Sequence, residues 1–200
     1  MIKKIIGLLV VVGIATAGFY AYRAHQAVKN VESYSDIVTS ALSRDGLSET
    51  DKNLVLAIIY QETKGGETDV MQSSESVTGT TNTTSNSTAS IENGVSHLAD
   101  MLTYAQEKNV DVWTGVQAYN FGKSYIDFVA KNGGKNTLDL AAQYSKDVVA
   151  PSLGNTTGET YLHLNWDSIL YNGGKLYVDG GNLFYAQEVQ NKMNLIDWFK

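Results

Sequence analysis

YQETKGGETDVMQSSES, at residues 60–76, is the stretch that says most about the fold of this chain. It continues a helix that we predict from Ser48 to about Glu62, because Ser48 and the acid three residues later form a capping-box pattern ahead of an apolar run. Glu62 follows Ile58 and Ile59 by four and three residues, which places it on the apolar stripe of that helix. Burial raises the pKa of a carboxyl group and keeps it protonated for general acid catalysis. Glu62 is therefore our first candidate for a catalytic residue.

Most of the remaining chain shows helical spacing of its apolar residues. The pattern predicts helices from Ser90, as N-cap, to about Ala105, from Asp111 to Phe121, from Tyr125 to Val129, from Thr137 to before Pro151, and from about Asn182 onward. Residues 73–90 are rich in Ser and Thr and predict a long polar loop. Residues 169–171 and 176–178 flank an Asn-Gly-Gly turn and predict a small hairpin. The expected fold class is a mainly α domain with long loops.

Composition excludes several classes of protein. A chain of 200 residues with 43% hydrophobic content is long enough for one core. Its net charge of -6, without clustered Lys and Arg, argues against binding to nucleic acid. The absence of Cys excludes disulfides, thiolate zinc sites and a cysteine nucleophile. Because the three His residues lack the spacing of metal ligands, we expect neither a metal nor another cofactor.

The N-terminus carries an uncharged apolar run from Ile5 to Tyr22, preceded by Lys3 and Lys4. This pattern predicts a single-pass membrane anchor over residues 1–24, or a signal peptide that is cleaved after Ala17. We favour the anchor because the apolar run continues beyond Ala17. Either alternative places the following residues outside the cytoplasm, with a linker and a short helix over 25–47 and the main domain over 48–200.

Three segments resemble motifs of the lysozyme-like family, which includes muramidases and lytic transglycosylases. Residues 60–76 resemble its active-site segment, in which a Glu at a helix C-terminus precedes a polar loop and a Met-Gln pair. SIENGV at 90–95 and QAYNFG at 117–122 resemble two later motifs, in the order found in the family. Nearly the whole chain looks like the membrane-anchored surface antigens of this family, and part of it looks like the muramidase domain of conjugative-element wall hydrolases.

The resemblance implies a lysozyme-like fold, a Gram-positive cell surface, and the glycan strands of peptidoglycan as substrate, cut between N-acetylmuramic acid and N-acetylglucosamine. Glu62 would be the general acid, and Glu75, with Asp69 as second choice, would be the second carboxylate. Gln72, Ser73, Ser74, Tyr119 and Asn120 would contact substrate. A hydrolase uses a second carboxylate as nucleophile or base. A lytic transglycosylase needs only the acid, because the 6-hydroxyl of the sugar attacks. A surface antigen with weak or lost catalysis is the third alternative.

Overall fold

Helices dominate the architecture. The computed structural model describes residues 2–74, 84 and 86–200, without the side chains of residues 2–5 and 8. The helices are α1 (Ile2–Glu32), α2 (Ser35–Arg44), α3 (Lys52–Thr63), α4 (Ser87–Glu107), α5 (Val112–Phe121), α6 (Ser124–Lys131), α7 (Leu138–Tyr144), α8 (Ala150–Ser152), α9 (Trp166–Asn172) and α10 (Tyr185–Phe199). Strands β1 (Thr160–Leu162) and β2 (Lys175–Tyr177) form an antiparallel pair. The predicted mainly α fold class is thereby confirmed.

Helix α3 lies at the centre of the larger of two apolar clusters. Seven consecutive residues, Leu54 to Tyr60, are buried, so α3 has no solvent-facing side over two turns. Helices α1, α2 and α10 pack around it. The predicted capping box is confirmed: Ser48 accepts from the backbone N–H of Thr50, and Asp51 accepts from that of Ser48. The packing therefore holds the C-terminal turn of α3, which carries Glu62, between neighbouring helices.

A second apolar cluster forms the other half of the domain. Tyr125 of α6 and Phe184, just before α10, are completely buried in it. The rings of Phe121, Tyr125 and Tyr144 contact one another at centroid distances of 5.1 to 5.7 Å. Aromatic contacts of this kind hold α5, α6 and α7 together.

Helix α1 runs without a break through residue 24, where we predict the anchor to end. Its last two turns bury Ala27, Val28 and Val31 in the main core, so they are part of the domain that we predict to begin at residue 48. Among the described residues, no helix has the length and apolar character of a membrane span, so they give the predicted N-terminal anchor no support.

Helix α4 begins earlier than predicted. Asn86 is the N-cap, and its side chain accepts from the backbone N–H of Ala89. Ser90, which we predict as the cap, lies inside the helix and is completely buried. The spacing correctly locates the apolar face, but it cannot distinguish two polar residues that could each cap the helix. The hydroxyl of Ser90 is instead available to the site described below.

The predicted hairpin is wrong in its first strand. Residues 169–171 belong to α9, whose N-cap Asn165 forms a capping box with Ser168. Gly173, with φ of 74°, ends this helix in the left-handed conformation. The partner of β2 is β1, which lies before α9. A capped helix thus occupies the position at which apolar residues alone predict a strand.

Pro151 does not follow a completed helix, contrary to our prediction. After α7 the chain forms a π-helical turn at Ser145–Val149 and continues directly into α8. Pro151, the second residue of α8, therefore lies within this continuous helical run.

Candidate functional site

Glu62 lies in the last turn of α3 and contacts a tyrosine from the C-terminal helix. The hydroxyl of Tyr185 donates to Oε1 of Glu62 at 2.5 Å. The pKa of Glu62 is raised to about 7, mainly by burial. The hydrogen bond from Tyr185 lowers this pKa, whereas the nearby charges of Asp69 and Glu188 raise it further. A substantial share of Glu62 is therefore protonated near neutral pH, as a general acid requires.

Two tyrosines form one side of this environment. The rings of Tyr119 on α5 and Tyr185 on α10 stack at 6.1 Å with an interplanar angle of 12°. The hydroxyl of Tyr119 donates to the backbone oxygen of Met71 at 2.9 Å, and the ring of His97 contacts its ring edge-on at 5.0 Å. Tyr119 thus links α4, α5, α10 and the loop that follows α3.

Asp69 fixes the loop that follows α3 through hydrogen bonds. Its Oδ1 accepts from the backbone N–H of Ser73 at 3.0 Å and from the hydroxyl of Ser90 at 2.6 Å, while Oδ2 accepts from the N–H of Ser74 at 3.1 Å and from the Ser74 hydroxyl. Burial raises the pKa of Asp69, but these hydrogen bonds outweigh burial and lower it overall. Asp69 is an ionised carboxylate with both oxygens engaged. This geometry favours a positioning role over that of a nucleophile.

A cleft of about 630 Å³ lies beside this arrangement. Four of the predicted site residues line it: Gln72, Ser73, Tyr119 and Asn120. Ser74 is only 1% exposed and does not line the cleft. Glu62 does not line it either, and it is connected to the cleft through the stacked rings of Tyr185 and Tyr119. Glu75, our predicted second carboxylate, lies outside the described residues.

Gln72 and Asn120 are held in defined positions at the cleft. The backbone of Gln72 has φ of 49°, which is uncommon for residues other than glycine, and its amide donates to Glu67 at 3.0 Å. The side-chain oxygen of Asn120 accepts from the backbone N–H of Asn182 at 2.7 Å, which leaves its NH₂ group available for other contacts.

Glu188 is a buried carboxylate that sequence reasoning missed. It lies on α10 one turn after Tyr185 and is 6% exposed. Its two carboxylate oxygens contact four polar side chains: Gln61 at 2.5 Å, Asn182 at 2.8 Å, the ring of His163 at 2.7 Å, and Asn165. The spacing of three from Tyr185 is the one sequence signal that could have placed it on the inner face of α10.

No metal centre is evident in the described part of the chain. Across residues 2–74, 84 and 86–200, no group of three or more His, Asp and Glu side chains is arranged to hold a metal ion.

Comparison with known proteins gives a consistent result. Residues 28–193 match the sequence profile of the family described as Lysozyme-like. The chain is 50% identical over 199 residues to pneumococcal vaccine antigen A of Streptococcus pneumoniae, an alignment that covers 100% of this chain and 97% of that protein.

Two further similarities cover parts of larger proteins. The bifunctional muramidase/DL-endopeptidase CwlT of Bacillus subtilis is 36% identical over 116 residues, which is 58% of this chain and 34% of CwlT. The crystal structure of a protein similar to lipoproteins of the NLP/P60 family from Staphylococcus aureus superposes with a TM-score of 0.74 at 31% identity, covering 82% of this chain and 52% of that one.

Proposed function

Because the chain belongs to the lysozyme-like family, we propose that it cleaves the glycan strands of peptidoglycan, between N-acetylmuramic acid and N-acetylglucosamine, with Glu62 as the general acid. The observation that carries the proposal is the environment of Glu62, a partly buried carboxyl with its pKa raised to about 7 near a cleft of about 630 Å³. The similarity to CwlT, which is named a muramidase, supports the choice of substrate.

In the proposed reaction, protonated Glu62 transfers its proton to the glycosidic oxygen as the bond to the muramic acid carbon breaks. Positive charge develops on the sugar ring in an oxocarbenium-like transition state. After proton transfer Glu62 is ionised, and the hydroxyl of Tyr185 stabilises that charge through its hydrogen bond. Gln72, Tyr119 and Asn120 are our candidates for holding the sugars in the cleft.

Two chemistries can complete the reaction. In hydrolysis a second carboxylate assists, either directly as nucleophile or by activating water, and we retain Glu75 for this role. In lytic transglycosylation the 6-hydroxyl of muramic acid attacks the anomeric carbon of the same ring while its proton passes to ionised Glu62, and the product has a 1,6-anhydro end. One observation favours the second chemistry. Asp69 and Glu188 are the carboxylates whose charges act on Glu62, and each of them already has both of its oxygens hydrogen-bonded.

The experiment that tests the proposal is digestion of purified peptidoglycan, followed by mass spectrometry of the products. Reducing N-acetylmuramic ends indicate a hydrolase, and 1,6-anhydro ends indicate a transglycosylase. We expect Glu62→Gln to release neither product. We expect Glu75→Gln to lose hydrolysis but to keep transglycosylation. If the wild-type protein binds glycan and releases no product, the enzyme proposal is wrong, and the alternative of a wall-binding surface antigen holds.

We further propose that the domain acts at the outer surface of a Gram-positive cell. Its substrate lies outside the cytoplasm, and a fold without cysteine suits an envelope in which proteins do not depend on disulfides. Because the net charge is -6 and wall polymers are also anionic, binding must depend on contacts with sugars and on local positive groups more than on overall attraction.

A further inference from the structure

Glu188 is a buried carboxylate that takes no chemical part in the proposed reaction. Its Oε2 accepts from the side-chain amides of Gln61 and Asn182, at 2.5 and 2.8 Å. Its Oε1 contacts the ring of His163 at 2.7 Å and the amide of Asn165. An ionised carboxylate only accepts hydrogen bonds, so it suits a position at which donors meet both oxygens. These contacts join α10 to α3, to the turn before α10, and to the segment between β1 and α9.

The Oε2 atom of Glu188 joins the helix of the proposed acid to the turn that orients a cleft residue. Gln61, one of its two partners, directly precedes Glu62 in α3. Asn182, the other partner, donates its backbone N–H to Oδ1 of Asn120 at 2.7 Å. This hydrogen bond fixes the rotation of the Asn120 amide, and the NH₂ group is then the part of the amide that can contact a sugar in the cleft.

The turn that carries Asn182 packs closely against Asn120. Gly181 lines the cleft with a φ of 64°, and a Cβ atom at this position would lie 3.0 Å from Oδ1 of Asn120 and 2.9 Å from the ring of Phe121. The backbone oxygen of Asn182 accepts from the side chain of Gln117 on α5 at 2.8 Å. Because the turn has so little free space beside Asn120, a displacement of Asn182 would pass directly to the Asn120 amide.

The negative charge of Glu188 also acts on the proposed acid. It raises the pKa of Glu62, in the same direction as burial and the charge of Asp69. Tyr185, one turn earlier on α10, donates to Glu62, so two side chains of one helix act on the acid. The ionisable groups that interact with Glu188 or Glu62 also include Tyr161 of β1, His163 before α9, Lys192 of α10 and Tyr119 of α5.

We propose that Glu188 is a positioning residue, which holds Asn120 of the cleft in a fixed relation to Glu62. It does so through Asn182 on the side of the cleft and through Gln61 on the side of the acid. This inference rests on the proposed function. Glu188 itself does not contact the sugar. Loss of its hydrogen bonds should weaken substrate binding, and loss of its charge should change the pH range in which the acid stays protonated.

The first test measures initial rates of the full-length protein on soluble peptidoglycan strands. Glu188→Gln keeps the size of the side chain, removes its charge and turns an NH₂ group toward neighbouring donors. We expect KM to rise about 10-fold, as for the loss of one hydrogen bond to the sugar. The alkaline limb of the pH–rate profile should move to lower pH, because a negative charge near Glu62 is gone. Asp167→Asn, at a carboxylate of α9 that accepts from Asn191, is the matched control and should change neither.

A second variant, Asn182→Ala, separates the hydrogen bonds from the charge. It removes the amide that contacts Glu188 but keeps the backbone N–H that binds Asn120, and the charge of Glu188 stays. We expect KM to rise about 3- to 10-fold, with the alkaline limb where it is in the wild type. Urea denaturation checks that each variant is folded under the assay conditions. If Glu188→Gln does not fold, Asn182→Ala decides the question alone, and an unchanged KM overturns the proposal.

A further readout does not depend on catalysis. In ¹⁵N-labelled protein, the side-chain NMR signals of Asn120, assigned by their loss in Asn120→Ala, report on the orientation of its amide. We expect them to shift and broaden in Glu188→Gln and in Asn182→Ala, and to stay unchanged in Asp167→Asn. If they do so in a protein that releases no glycan product, the positioning role holds and the enzyme proposal is wrong. If the protein cleaves glycan and Glu188→Gln changes neither KM nor these signals, the enzyme proposal holds and the positioning role is wrong.

Discussion

Replacing Glu62 by glutamine should make the protein more stable, by an amount that grows with pH. Burial raises the pKa of Glu62 from 4.5 to about 7, so the folded protein holds the proton more tightly than the unfolded chain does. The stabilising effect of that proton is complete below pH 4.5 and is lost as pH rises through 7. A shift of this size corresponds to about 3 kcal/mol in the free energy of unfolding.

Glutamine has no charge to bury, and its amide oxygen can still accept from Tyr185. We therefore expect Glu62→Gln to exceed the wild type in free energy of unfolding by about 3 kcal/mol at pH 9 and by about 1 kcal/mol at pH 5. Urea denaturation at the two pH values measures the difference. Glu107→Gln, which removes an exposed carboxylate from α4, is the control for the change in net charge. Equal gains for Glu62→Gln at both pH values would refute the raised pKa of this carboxyl.

Three further substitutions test the surroundings of the acid. Tyr185→Phe removes the donor that stabilises ionised Glu62, so its pKa should rise and the alkaline limb of the pH–rate profile should move to higher pH. Asp69→Asn should lower the free energy of unfolding by about 2 to 4 kcal/mol, because an amide cannot accept on both sides from the donors that surround this carboxylate; chemical denaturation measures the loss, and an unchanged midpoint would contradict it. Gly94→Ala should lower the free energy of unfolding by about 1 to 3 kcal/mol, because the added Cβ would lie 2.7 Å from Sδ of Met71. A lower Tm would show this loss, whereas a variant as stable as the wild type would show that Met71 can move aside.

Local patterns predicted much of the helical framework. The capping box at Ser48, the helix over residues 111–121 and the inward position of Glu62 all follow from interactions between residues three or four apart. The errors occurred where two local solutions compete. Residues 169–171 are apolar enough for a strand, but the cap at Asn165 and the left-handed Gly173 stabilise a helix.

The resemblance to lysozyme-like motifs indicated Glu62, Gln72, Tyr119 and Asn120, and the structure brings the last three to one cleft beside the first. The predicted second carboxylate, Glu75, lies outside the described residues. The resemblance assigned Asp69 as a reserve carboxylate, whereas the structure surrounds that group with donors.

Residue type and spacing thus indicate a helical domain with an inward-facing acid at the end of one helix, whereas the lysozyme-like family is indicated by the resemblance of three motifs. The partners of that acid depend on long-range packing: Tyr185 lies 123 residues from Glu62 along the chain, and Glu188 lies 127 from Gln61. No periodicity relates residues so far apart, because their contact arises only when α10 packs against α3. The pKa of Glu62 depends on burial and on charges across that packing, so the sequence can indicate the acid while the folded structure sets its protonation state.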